Sequence, residues 1–242
     1  MKRILKLIKE ELGFILLLIF ITIIVLYPID YYITVGGGIK DIGNRVQIED
    51  SYKEKGTLNI SYVSQINGTI LTYLLSYIMP NWERTKISDF QYNEEESIKD
   101  ISYREKIELD EANSNAIYNA YTEANKEIKE TSHKYIVIGK INEYKNDFEI
   151  GDEIVSVNNQ KFDNLAEYRD IINLYTEDTI PIKLKRKNKI IEIFAKIYEE
   201  EDRKIVGVYL SDLHTYETNP EVKIKFKRNL DSCQYFLSIK ND

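Results

Sequence analysis

From Leu12 to Ile29 the chain reads LGFILLLIFITIIVLYPI, 18 residues without a charge. As one helix this run would extend about 27 Å, close to the roughly 30 Å hydrocarbon core of a bilayer. A helix buried in a water-soluble core shows a polar stripe, and this run offers only Thr22. A cleaved secretory signal is the rival reading, but its apolar region is shorter and ends at a small-residue cleavage site. Here the run ends in Tyr27-Pro28-Ile29-Asp30-Tyr31-Tyr32. The expectation is a transmembrane helix over 12–29, with Tyr27, Tyr31 and Tyr32 in the interfacial belt. Lys2, Arg3, Lys6 and Lys9 precede it in a basic segment, residues 1–11. The excess of positive charge there predicts a single-pass protein of the cell membrane, N-terminus cytoplasmic and body outside.

The remainder differs in character. Net charge is 33 − 40 = −7 for the whole chain, and 29 − 38 = −9 once the first 11 residues are set aside. An acidic body argues against a nucleic-acid partner. Hydrophobic residues make up 43% of the chain, enough for a packed core. The single cysteine, Cys233, excludes an intramolecular disulfide framework, and two histidines, His133 and His214, do not suggest a His-rich metal site. The glycines of Tyr31–Gly38 (YYITVGGG) read as a strand running into a turn. They lack the Lys-Ser/Thr of a phosphate loop, since Ile39-Lys40-Asp41 follows. No cofactor is expected.

Periodicity organises the body. Val46 and Ile48 alternate with Gln47 and Glu49, and Leu58, Ile60 and Tyr62 alternate within Gly56–Ser64, both as strands. Ile70, Leu71, Leu74, Leu75 and Ile78 give a helical pattern that Pro80 stops. Residues 93–130 are charged, free of Gly and Pro, and mostly helical; Ala112, Ala116, Ala120 and Ala124 form a small-residue face.

Lys134–Ile197 is the best-formed unit. Tyr135–Ile138 is a strand, Gly151-Asp152 a turn, and Glu153–Val157 a strand ending in Asn158-Asn159, a tight hairpin pair. Asp163 or Asn164 can cap a helix carrying Leu165, Tyr168, Ile171 and Ile172. Strands over Ile180–Arg186 and Ile190–Ile197 close the unit. This order resembles a bacterial PDZ domain, assigned to residues 134–199. The resemblance implies binding of a protein C-terminus or extended segment as an added strand. The implied groove lies between Tyr135, Ile136, Val137 and Ile138 on one side and Leu165, Tyr168 and Ile172 on the other. Thr131-Ser132-His133-Lys134, read as the preceding loop, lacks the glycine-containing carboxylate loop of common PDZ domains.

The whole arrangement resembles the membrane-anchored, PDZ-containing Lon-like serine–lysine peptidases of Gram-positive bacteria. The implied fold is α+β: an N-terminal transmembrane helix, then a partial Lon-like protease fold interrupted by the PDZ domain. Residues 30–133 supply its first strands and Ala-rich helix. Residues 200–242, with Val206-Gly207-Val208 and Val222–Phe226, supply the start of the remainder. The family's Gly-Pro-Ser-Ala-Gly is not present among the 242 residues. Ser232 lacks flanking glycines, Lys240 follows it closely in the tail, and Cys233 has no evident base, so no catalytic residue is assigned. The expectation is a truncated, non-proteolytic peptide-binding relative. The alternatives are a fragment of an active Lon-like peptidase that processes exported peptides, and a PDZ scaffold at the membrane.

Overall fold

The computed structural model describes residues 11–224, except 42, 44, 50–55, 58 and 202, together with the backbone of a strand at 233–237. The elements in order are α1 (Leu12–Leu26), β1 (Pro28–Asp41), β2 (Val46–Ile48), β3 (Asn59–Thr69), α2 (Ile70–Leu75), β4 (Glu83–Lys86) and α3 (Ile98–Glu123). Then follow β5 (Glu127–Lys140), β6 (Glu153–Val157), α4 (Leu165–Leu174), β7 (Thr179–Arg186) and β8 (Lys189–Lys196). The chain ends with β9 (Tyr198–Glu200), β10 (Arg203–Ile205), β11 (Val208–Asn219), β12 (Val222–Ile224) and β13 (Cys233–Leu237). Two compact units result, residues 90–222 and the remainder.

The apolar run is not one helix. α1 has 15 residues, about 22 Å of rise, and stops at Leu26. Pro28 is the physical reason. Its ring disfavours helical geometry at Tyr27, which is extended (φ −68°, ψ 115°), and Pro28 then pairs with Thr69 in a sheet. Among the described residues no helix is long and apolar enough to cross a membrane, which corrects the expected transmembrane helix over 12–29 and the cell-membrane placement drawn from it. The tyrosine belt is corrected with it. Tyr32 is buried in the first unit, and the Tyr31 ring lies 5.0 Å from that of Tyr73.

In this first unit β13, β3, β1 and β4 form an antiparallel sheet around Tyr32, Ile33 and Ile60. Gly36–Gly38 lie inside β1 rather than in a turn. The ladder shifts register between Val35 and Gly38, and a Cβ on Gly37 would stand 1.7 Å from the Tyr62 carbonyl oxygen. Glycine is required there by the close approach of two backbones. α2 starts on a reciprocal Thr69–Thr72 capping box and ends four residues short of Met79.

The second unit is a five-stranded antiparallel sheet in the order β11-β5-β6-β7-β8. Val137, Val157, Ile180, Ile182, Leu184 and Ala195 are fully buried, and Tyr168 and Ile172 of α4 pack into the same core. Burial of each large aliphatic side chain contributes about 1.5–3 kcal/mol. Asn158 and Asn159 both have positive φ, and Val157 and Gln160 exchange backbone hydrogen bonds across the turn. Asn164 caps α4 by accepting from the Glu167 N–H at 2.9 Å. Gly151 has φ +92° with the Tyr103 ring beneath it. Next to it Asp152 is buried and accepts from Arg186 Nε at 2.8 Å and Nη2 at 2.7 Å. These bonds raise the Arg186 pKa further above its ordinary value.

α3 begins at a Ser97–Asp100 capping box and packs on β11 and β5. Its buried residues are Ile101, Arg104, Ile107, Ser114 and Tyr121, whereas Ala112, Ala116, Ala120 and Ala124 face outward. The expected small-residue contact is thus replaced by a stripe at spacings of three and seven.

Candidate functional site

A strand can accept a peptide only along a free edge, because an added strand needs a row of unpaired N–H and C=O groups. Tyr135–Ile138 has none. On one side Tyr135 and Ile136 pair with Ile154 and Glu153 of β6; on the other, Tyr135, Ile136 and Val137 pair with Asp212, Ser211 and Leu210 of β11. Thr131–Lys134 is part of the same strand, not a loop. The expected groove is therefore corrected by one strand: β11 is the edge of the sheet. The shift could not be read locally, because β11 joins the sheet after the rest of it is complete in sequence.

Between β11 and α4 lies a cavity of about 710 Å³. Of the residues expected at the groove, Ile138, Leu165 and Tyr168 line it. Tyr135, Val137 and Ile172 are buried in the core, and Ile136 is half-buried. Val208, Tyr209 and Leu210 of β11, with Gln91, Tyr92 and Arg169, complete the lining and were not anticipated from sequence. The available signal was Val206-Gly207-Val208. Gly207 has φ +70°, a Cβ there would meet the Tyr144 Cβ at 2.4 Å, and its carbonyl accepts from Ile141 N at 2.9 Å. That turn aims the chain into β11.

The walls are held from outside. Arg104 is buried, ion-paired with Glu96, and lies 3.8 Å from the Tyr92 ring centre. Glu96 also accepts from the Tyr92 N–H at 2.7 Å, so one buried pair fixes the segment that carries Gln91 and Tyr92. The Tyr92 ring meets Tyr209 edge-on at 5.3 Å. Burial, then the Glu108 carboxylate, push the Tyr92 phenol up.

Two tyrosines behave differently in the wall and core. Tyr135 donates its hydroxyl to the Asp163 carbonyl at 2.8 Å, and burial foremost pushes its pKa up to about 12. Tyr168 is 7% exposed and lines the cavity, yet its buried hydroxyl has no hydrogen-bond partner among the described residues. Burial pushes its phenol up as well, so the group is a neutral donor at any ordinary pH. A buried hydroxyl without a partner costs about 1–3 kcal/mol. Arg169 is the charged side chain of the lining. The arrangement can therefore offer an apolar slot, one cation and a strand edge that is unpaired among the described residues. No reacting pair of nucleophile and base lines it, and Ser232 and Lys240 lie outside the described residues.

Comparison with protein-family models, with curated proteins and with solved structures finds no match to this chain.

Proposed function

We propose that residues 90–222 form a PDZ-like peptide-binding module. An extended segment adds antiparallel or parallel to β11, its backbone pairing with the free edge at Val208–Leu210, and an apolar side chain enters the slot beneath Leu165 and Tyr168. Arg169 favours a carboxylate on the ligand, either a C-terminus or an acidic side chain. The observation that carries this reading is a sheet edge facing a helix across a cavity lined by Ile138, Leu165, Tyr168 and Leu210, with Arg169 beside them. The kinship with Lon-like peptidases remains part of the proposal for the rest of the chain. The activity proposed is binding without proteolysis.

The test uses the full chain. A library of labelled peptides with apolar C-termini is screened by fluorescence polarisation, and hits are titrated by backbone NMR. Shift changes concentrated at Val208–Leu210 and along α4, with binding weakened by Arg169→Glu, are expected. Binding that leaves β11 unperturbed, or no peptide binding at all, would refute the reading.

A further inference from the structure

The chain contains two histidines, and strand pairing sets them directly opposite each other, His133 on β5 and His214 on β11. Their rings stack with centres 4.0 Å apart and planes 17° apart. Two carboxylates meet them. Asp212 Oδ1 lies 2.5 Å from His133 Nε2 and 3.2 Å from His214 Nε2. Glu130 Oε1 lies 3.1 Å from His214 Nδ1. Donor atoms of Glu130, His133 and His214 all fall within 4.8 Å of one another. The rings are braced from both sides, with Tyr135 4.5 Å from His133 and Tyr216 stacked 6.0 Å from His214. The His133 and His214 side chains are 24% and 23% exposed, so a hydrated ion can reach them.

Imidazole nitrogen with carboxylate oxygen is the donor set of zinc and its late first-row neighbours, and a poor one for magnesium or calcium. Ligand bonds near 2.1 Å at tetrahedral angles place donor atoms about 3.4 Å apart. Glu130 and His214 already stand 3.1 Å apart, and the other donor pairs lie within 4.8 Å. We propose that His133, His214 and Glu130 form a site for a divalent transition-metal ion of the zinc type, with Asp212 holding the rings at Nε2. The ion ties β5 to β11, two strands far apart in sequence.

The test uses the tag-free full chain, with zinc chloride followed by calorimetry and cobalt chloride followed by visible absorption. With two histidines in the chain, long-range proton–nitrogen NMR resolves each imidazole in the wild-type protein. One ion per chain is expected, with both rings shifting together and cobalt bands of tetrahedral intensity. His133→Gln and His214→Gln should each weaken binding at least about tenfold, and Glu130→Gln by a similar factor. Cys233→Ser should leave binding intact. Absence of saturable binding, one ring left unperturbed, or loss of binding in Cys233→Ser would overturn the proposal. Protonic pairing of the four groups alone gives the first of these outcomes. The wild-type NMR reading decides even where a variant fails to fold.

Discussion

Tyr168→Phe separates stability from binding at the candidate groove. The substitution keeps the ring, which packs 5.3 Å from Phe162 and contributes to the core, and removes only the hydroxyl. In the unliganded protein that hydroxyl is buried and unpartnered. Its removal relieves about 1–2 kcal/mol of desolvation penalty. For a chain of this size each kilocalorie moves the melting temperature by about 2–4 °C. Thermal unfolding followed by circular dichroism should therefore show Tyr168→Phe melting about 2–8 °C above the wild type. Peptide binding should stay within about twofold of the wild type, because the hydroxyl is buried away from the cavity and the ring that lines it is kept. A variant that melts below the wild type would refute the claim that the hydroxyl is unsatisfied. A variant that melts higher but loses peptide binding would refute the claim that the ring, and not the hydroxyl, lines the groove.

Three further outcomes follow from the same structure. Asp152→Asn breaks a bidentate pair in which the Asp side chain is 1% exposed and Arg186 is 21% exposed. Because Arg186 retains some solvent, the loss should sit at the low end for buried pairs, about 3 kcal/mol, measured by urea unfolding. Gly37→Ala drives a Cβ into the Tyr62 carbonyl, backbone against backbone. Amide hydrogen exchange should show the β1–β3 ladder losing protection while β5–β8 keep theirs. Finally, Tyr135 and Tyr168 have raised folded pKa values, foremost through burial. Unfolded phenols ionise near about pH 10, so the unfolded state then binds fewer protons than the folded state. Stability should be flat below that pH and fall as pH rises beyond it, and Tyr168→Phe should flatten the fall by one proton's worth. Urea titrations on either side of about pH 10 would show it; a slope unchanged in the variant would count against the assignment.

Much of the unit around α4 is legible locally, because its signals are local. Alternation at Ile180–Arg186, the Asn158-Asn159 pair and the Asn164 cap each act within a few residues of themselves. Gly151-Asp152 reads as a turn in sequence, but its second role needs Arg186, which only the folded sheet delivers.

Local residue pattern suffices to say which segments are strands, where α4 begins, and where positive φ is needed. Partner choice was left to the tertiary structure. A period of two says which face of a strand is apolar and nothing about which strand lies beside it. Hence Tyr135–Ile138, apolar enough for a groove wall, became an inner strand once β11 paired with it, and the free edge moved to Val208–Leu210. The same pairing brought His133 against His214. The apolar run at 12–29 divides for a related reason: Pro28 closes the helix, and pairing with Thr69 draws the residues after it into a sheet.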